Sequence, residues 1–160
     1  MFRIISLHKV TCLALLALYS VLLCSSTYAS DKQTPNILFI LTDNQAATLL
    51  GTYGNPDIKT PHIDRLAKEG MQFNRHFAVN SLCSPTRATL MTGLMPSQHG
   101  IHSWLDDELL NTWPKTWSAV AEFRTLPLTL KNRGFQTALI GKWHLGQPWQ
   151  ASIGYEHWIT

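Results

Sequence analysis

Hydrophobic and polar positions along the chain alternate in blocks that predict strands followed by helices. The continuous apolar run 36–41 (NILFIL) is typical of a parallel strand that is buried on both faces. A second such strand is predicted over 135–140 (FQTALI), and an irregular strand is predicted over 71–79. Strands that alternate with helices indicate an α/β fold with a largely parallel sheet flanked by helices.

Three helices are predicted from the polar residues and prolines at which they begin and the glycines at which they end. They run from Thr60 to Gly70, from Ser84 to about Met91 before Gly93, and from Thr125 to Gly134. Residues 101–124 fit neither period and contain Trp104, Trp113 and Trp117. We interpret this stretch as a partly packed surface loop, with a substrate-contacting lid as the alternative.

The first residues of the chain have the pattern of a secretory signal peptide, which we assign to 1–29. A basic start precedes the apolar run 10–24, and small or polar residues lead to a cleavage site after Ala29. An uncleaved anchor or a lipid on Cys24 is the alternative. We therefore expect a secreted or periplasmic protein with no stable membrane span after cleavage. Residues 30–160 would form one domain.

Composition excludes some partners. Hydrophobic residues make up 45% of the chain and charged residues 14%, which is enough apolar content for a buried core. The formal charge is +3, and the signal segment accounts for most of that excess. There is no basic run and no stripe of arginine and lysine, so we expect no nucleic-acid partner.

The cysteines single out one position. Two of the three cysteines, Cys12 and Cys24, lie in the signal segment, which leaves Cys83 alone in the exported chain. A lone thiol in an oxidising compartment must be buried, paired with another chain, or chemically special. The polar neighbours of Cys83 are untypical of a core.

The run 83–87 (CSPTR) places three features together. Pro85 suits the first turn of a helix, so Cys83 would lie at the helix N-terminus, where free N–H groups favour an anion. Arg87, four residues on, would lie near the same face and could hold an oxyanion. The alternative is an ordinary capped helix.

Two further pairs of polar residues follow predicted strands. Asp43 and Asn44 offer adjacent oxygen ligands for calcium or magnesium, although a turn without metal is the commoner use of such a pair. Lys142 and His144 would share one face if the chain stays extended, and they could bind an oxyanion and move a proton. The alternative is an exposed loop pair.

The remaining histidines that we considered are assigned structural or solvated positions by default. They are His62, His76, His99 and His102.

Four segments in the right order resemble the type I sulfatase family, within the alkaline phosphatase-like superfamily. They are 35–45 (PNILFILTDNQ), 60–67 (TPHIDRLA), 83–93 (CSPTRATLMTG) and 141–146 (GKWHLG). A lone Cys-x-Pro-x-Arg pattern is weak evidence, but together with the fourth segment it is specific.

The resemblance implies a mechanism. A maturation enzyme would oxidise Cys83 to formylglycine, whose hydrate attacks the sulfate of a sulfated small molecule or glycan. Asp43, Asn44 and the modified Cys83 would bind calcium, with magnesium as a second possibility. Arg87 would hold the hydrated aldehyde, Lys142 would bridge it to the sulfate, and His144 would be the base.

Two departures from the family accompany this resemblance. The family usually has Asp-Asp where this chain has Asp43-Asn44, so the cation site would carry one less negative charge. The family's catalytic domain is also several hundred residues long, so residues 30–160 would be its N-terminal part. We therefore expect the 160-residue chain alone to have no sulfatase activity. Turnover of an aryl sulfate ester by the purified, matured chain would contradict this expectation.

Two other functions remain open from the sequence. The same scaffold supports phosphonate and phosphodiester hydrolases, since sulfate and phosphate pockets differ mainly in charge. A non-catalytic remnant or binding module would instead have an unmodified Cys83 and no bound calcium.

Overall fold

A computed structural model describes residues 34–160, so the predicted signal peptide lies outside the described residues. The helices are α1 (Pro61–Glu69), α2 (Cys83–Thr92), α3 (Pro96–His99), α4 (Asp107–Leu110) and α5 (Leu126–Lys131), and the strands are β1 (Ala138–Ile140) and β2 (His157–Ile159). Two short 3-10 turns, Ala47–Leu49 and Gly51–Tyr53, precede α1. The described residues divide after Leu41, and the candidate site residues belong to the second unit, 42–160.

Helix α2 begins one residue earlier than predicted and ends where the sequence indicates. Leu82 is its N-cap, and Pro85 lies in the first turn, where its missing N–H leaves no helical bond unmade. Gly93 closes the helix with a left-handed backbone (φ 72°), and its N–H donates to the carbonyl of Thr89. The predicted helix is thus confirmed, with Cys83 as its first residue.

The other two predicted helices are also confirmed, although their N-caps act differently. The hydroxyl of Thr125 accepts the N–H of Leu128 at 3.4 Å and donates to the carbonyl of Ile153 at 2.6 Å. Thr60 makes no cap of this kind: its hydroxyl instead donates to Asp64 Oδ1 at 2.8 Å. Helix α5 ends at Lys131, a few residues before the predicted stop.

Strands β1 and β2 pair in parallel, with Leu139 opposite Trp158. This confirms the end of the strand predicted over 135–140 and the parallel character of the sheet. The strands predicted over 36–41 and 71–79 are wrong, since the structure assigns no strand to either range. Burial on both faces is wrong as well, because Leu38 is 85% exposed. A strand needs a hydrogen-bonded neighbour, and apolar composition alone does not supply one.

The core of the second unit lies where α2 meets the segment after β1. Its buried members are Ala88, Ile101, Val120, Trp143 and Leu145. The stretch 101–124 therefore contributes to the core, in agreement with a packed loop, and it also contains the unpredicted helix α4. The N–H of Ala119 donates to the carbonyl of Leu145 at 2.8 Å, which fixes this stretch to the segment that carries Lys142 and His144.

No helix in residues 34–160 is long and apolar enough to cross a membrane.

Candidate active site

The N-terminus of α2 and the segment after β1 meet at Cys83. Cys83 is half-buried, and the two residues that follow it, Ser84 and Pro85, are buried in the unit. The ammonium group of Lys142 lies 3.6 Å from the sulfur of Cys83, across 59 positions of sequence. A side chain at a helix N-terminus and a fixed cation thus face each other, which is the arrangement that an anionic reacting group requires.

Lys142 also contacts the carboxylate predicted to bind a cation. Its Nζ donates to Asp43 Oδ2 at 2.9 Å, and both side chains are 42% exposed. The lysine therefore bridges Asp43 and Cys83. Three of the residues selected from the sequence are brought together by this one ammonium group.

The bridge shifts the protonation of both partners. The hydrogen bond from Lys142, together with the positive charges of Lys142 and Arg87, lowers the pKa of Asp43 despite the opposing effect of burial. The hydrogen bond to Asp43 raises the pKa of Lys142, again against burial. Asp43 is accordingly ionised and Lys142 protonated at neutral pH, so the site holds a fixed carboxylate and a fixed cation.

Arg87 supports this bridge through the backbone. Its Nη1 donates to the carbonyl oxygen of Lys142 at 2.6 Å, which holds the lysine main chain against α2. The predicted position of Arg87, one turn along the helix from Cys83, is confirmed. The charge of its guanidinium contributes to the lowered pKa of Asp43, and its remaining N–H groups can bind an oxyanion.

His144 occupies a different environment from Lys142. Its side chain is 3% exposed, and its Nε2 lies 2.8 Å from the carbonyl oxygen of Leu105 and 3.8 Å from Asp107 Oδ1. The backbone of His144 is left-handed (φ 56°), so the extended chain from which a shared face was argued is absent. The extended backbone predicted for this pair is therefore wrong, although both residues line the same cleft.

The donor groups present fit a hard cation in type. Asp43 offers a carboxylate, which forms an ion pair with the Lys142 ammonium. Asn44 is exposed and has the left-handed backbone that asparagine tolerates (φ 53°). Within residues 34–160, no group of three or more His, Cys, Asp or Glu side chains is close enough to hold a metal ion.

A cleft of about 440 Å³ opens beside the Lys142–His144 segment. Its polar lining includes Asp107, Asn111 and Gln147. The Gln147 amide is buried and donates to the carbonyls of Leu110 and Trp113. Because Leu110 belongs to α4, these bonds hold this side of the cleft against α4. Cys83 and Asp43 are not among the lining residues. The cleft therefore lies beside Cys83, whose contact Lys142 lines it, and does not include Cys83.

The tryptophans of the stretch 101–124 have separate roles. Trp113 and Trp117 pack edge to face on each other, with ring centroids 4.2 Å apart. Trp104 is 47% exposed and packs edge-on against the ring of His144 at 5.5 Å. Only Trp104 of these three thus places an exposed ring next to a candidate catalytic side chain.

His99 is structural, as assigned by default. It is buried under α2, where its Nδ1 accepts the N–H of Ile101 and its Nε2 lies 3.1 Å from the Thr89 hydroxyl. Burial, with a smaller contribution from the charge of His102, lowers the pKa of His99. This histidine is therefore held neutral within the fold.

Sequence reasoning missed three groups near the site: the Ser84 hydroxyl, the Leu105 backbone and the Asp107 carboxylate. The sequence predicts Ser84 only as a helix start and as a polar neighbour of Cys83 untypical of a core, which is wrong because Ser84 is buried. It predicts residues 105–107 only as part of a partly packed surface loop. No local pattern marks a backbone carbonyl as the partner of a histidine 39 positions away.

Comparison with known proteins identifies the family. The family model "Sulfatase" matches residues 35–160. The steryl-sulfatase of Homo sapiens is 37% identical over 123 residues, which cover 77% of this chain and 21% of that protein. The N-acetylglucosamine-6-O-sulfatase of Bacteroides thetaiotaomicron is 35% identical over 148 residues, which cover 92% of this chain and 24% of that protein.

A solved structure agrees with these relatives. The structure of BT4656 in complex with its substrate D-glucosamine-2-N,6-O-disulfate matches with a TM-score of 0.64 and 34% identity, over 79% of this chain and 23% of that one. The chain belongs to the sulfatase family. The predicted family and its alkaline phosphatase-like α/β fold are confirmed. The chain spans about a fifth to a quarter of the length of the relatives it matches.

Proposed function

We propose that the site at the N-terminus of α2 serves the hydrolysis of sulfate esters, with Cys83 as the precursor of the nucleophile. The contact that carries this proposal is the Lys142 ammonium, 3.6 Å from Cys83 Sγ and 2.9 Å from Asp43 Oδ2. It joins three of the four segments on which the family resemblance rests. Residues 30–160 would be the N-terminal part of the catalytic domain.

Conversion of Cys83 to formylglycine would supply an aldehyde hydrate, whose hydroxyl attacks sulfur and displaces the alcohol. Lys142, held by Asp43 and by the backbone contact of Arg87, would neutralise the anionic sulfate. Arg87 would direct its remaining N–H groups to the hydrated aldehyde. His144 would accept the proton when inorganic sulfate is expelled.

Asp43, Asn44 and the modified Cys83 would hold a calcium ion, or magnesium in its place. Such an ion would polarise the sulfate oxygens and acidify the hydrate. The carboxylate of Asp43 supports this role because its lowered pKa keeps it ionised. Asn44 in the second position would supply a neutral oxygen, so we expect weaker cation binding than an Asp-Asp pair would give.

The substrate would be a sulfated small molecule or glycan. One matched relative is named a steryl-sulfatase, and two other matches favour a sulfated amino sugar. One relative is named as an N-acetylglucosamine-6-O-sulfatase, and the matching structure holds a sulfated glucosamine. Trp104, exposed beside His144, offers an aromatic face of the kind on which sugar rings stack. A formylglycine-generating maturation enzyme would be the second partner, and the signal peptide would direct the protein to the exterior or periplasm.

The function is tested by transplanting the site. Residues 35–160 replace the matching segment of the Bacteroides thetaiotaomicron N-acetylglucosamine-6-O-sulfatase, and the chimera is co-expressed with a maturation enzyme. We expect release of inorganic sulfate from N-acetylglucosamine 6-sulfate, and its loss on Cys83→Ala. A folded chimera that carries formylglycine at position 83 and releases no sulfate would contradict the proposal. The matching phosphate ester is the control for the phosphodiesterase alternative.

A further inference from the structure

We infer that Ser84 is a positioning residue that connects the nucleophile helix to the general base through Leu105. The inference rests on the proposed role of His144 and adds to it the atom that accepts the proton. Ser84 directly follows Cys83 and is completely buried in the first turn of α2. Its hydroxyl accepts the backbone N–H of Leu105 at 3.1 Å.

The same residue, Leu105, holds His144 from its other side. The Leu105 carbonyl oxygen lies 2.8 Å from Nε2 of His144. A carbonyl only accepts hydrogen bonds, so the hydrogen of this bond must sit on Nε2. The neutral imidazole is therefore the Nε2–H tautomer, and the lone pair that remains free is that of Nδ1.

Nδ1 of His144 is the ring atom that remains free to accept a proton within residues 34–160. It is buried and has no hydrogen-bond partner within residues 34–160. Buried polar atoms are normally paired, so an unpaired lone pair on a candidate base marks the point at which a proton is to be received. The proton from the nucleophile hydrate would go to Nδ1, while Nε2–H stays bonded to Leu105.

The residues on either side of Leu105 fit this arrangement. Asp107 Oδ1, at 3.8 Å from Nε2, would stabilise the imidazolium formed when Nδ1 is protonated. Trp104 packs edge-on against the ring and limits its rotation. Ser84 acts on His144 only through Leu105, so its loss should alter the tautomer without altering the Cys-x-Pro-x-Arg pattern around Cys83.

The test is a measurement of imidazole ¹⁵N shifts on the full 160-residue chain, with His144 assigned from the signals lost in His144→Gln. We expect the Nε2–H pattern in the unmodified chain at neutral pH. In Ser84→Ala the two ¹⁵N shifts should move toward each other, because tautomers mix once Leu105 is released. The control is Thr86→Val, which removes a hydroxyl bonded to Asn80 instead.

An Nδ1–H pattern in the unmodified chain would overturn the inference, whether or not Ser84→Ala folds. Unchanged ¹⁵N shifts in a folded Ser84→Ala, or an equal change in Thr86→Val, would overturn the role of Ser84. Mass spectrometry of residue 83 in Ser84→Ala reports separately on the proposed function, because it shows whether Cys83 is still converted to formylglycine. Full conversion of Cys83 alongside a disturbed His144 would support both.

Discussion

The Nζ atom of Lys142 lies 2.9 Å from Oδ2 of Asp43, although 99 positions separate the two residues in the chain. The same atom contacts Cys83, so one lysine ties a loop carboxylate to the N-terminus of α2. Because Arg87 in α2 holds the carbonyl of Lys142, the lysine is fixed at both its main chain and its tip. This contact is the structural centre of the proposed sulfatase site.

Replacing Lys142 by methionine should raise the pKa of Asp43 toward its ordinary value. The lowered carboxyl pKa means that the pair stabilises the fold above pH 3.8, and that this stabilisation is lost as pH falls through the lower folded value. The pKa of Lys142 is raised, so its contribution to the stability of the fold is present below pH 10.5. This contribution is lost as the pH rises through the raised pKa of Lys142 in the folded chain. The exposure of both groups limits the contribution to about 1 kcal/mol or less.

An NMR titration of the Asp43 carboxyl carbon, in buffer freed of divalent cations, checks this prediction. Lys131→Met is the matched control, since Lys131 pairs with Glu156 instead. The same Asp43 midpoint in the unmodified chain and Lys142→Met would contradict the bridge.

Removing the Thr89 hydroxyl should destabilise the fold. His99 Nδ1 accepts the N–H of Ile101, so Nε2 of the neutral ring must donate to Thr89, and Thr89→Val leaves that buried N–H unpaired. We expect a loss of about 1–3 kcal/mol in the free energy of unfolding, measured with urea. Thr112→Val, at an exposed hydroxyl, should cost much less. Equal costs for the two variants would contradict the assignment.

His99 should also make the fold less stable in acid. Burial lowers the pKa of His99 below 6.5. Just below pH 6.5 the histidine therefore binds a proton in the unfolded chain but not in the folded chain. Stability should therefore fall as pH drops below about 6.5, the ordinary histidine value. A His99 ring-proton titration with a midpoint at or above 6.5 would be incompatible with this expectation.

Gly146 should tolerate no side chain. Its backbone is left-handed (φ 138°), and an added Cβ would lie 2.8 Å from the Cα of Ser118 and closer still to the carbonyl of Trp117. Gly146→Ala should cost more than the roughly 1–2 kcal/mol of backbone strain alone. Gly100→Ala, with φ 74° and open space around it, should cost only that strain. Urea unfolding of the two variants separates the clash from the strain, and equal losses would refute the close approach.

Trp104 should respond to a sulfated sugar while the Trp113–Trp117 pair does not. The exposed ring beside His144 is available for stacking, whereas the other two rings pack on each other. The indole N–H resonance of Trp104 should shift on addition of N-acetylglucosamine 6-sulfate, with the unsulfated sugar as control. Shifts confined to Trp113 or Trp117 would count against a role for Trp104.

Local signals in the sequence were sufficient to predict α2 and its end. Pro85 has a fixed φ and Gly93 accepts a left-handed backbone, so both residues act within their own turn. The chemistry at Cys83 stays a prediction, which rests on a family pattern that is continuous in sequence. The contact of Lys142 with Asp43 was not predicted, since it depends on how distant segments pack.

Other predictions failed because they assumed a partner or a regular backbone. The run 36–41 has strand composition, but strand formation depends on a hydrogen-bonded neighbour. The common face of Lys142 and His144 assumed an extended chain, and the left-handed φ of His144 breaks it. The Leu105 carbonyl that holds His144 is a backbone group and so has no sequence signature.

Cys83 is proposed as the precursor of a formylglycine nucleophile, and the chemical state of this residue is the property to measure. The chain is co-expressed with a formylglycine-generating enzyme, and the peptide that contains residue 83 is analysed by mass spectrometry. We expect the cysteine sulfur and two hydrogens to be replaced by one oxygen, with the new aldehyde captured by a hydrazide probe. Arg87→Ala, which breaks the Cys-x-Pro-x-Arg pattern, should reduce the conversion. An unmodified thiol at Cys83 in the wild-type chain, under conditions that convert a known sulfatase, would contradict this role of Cys83.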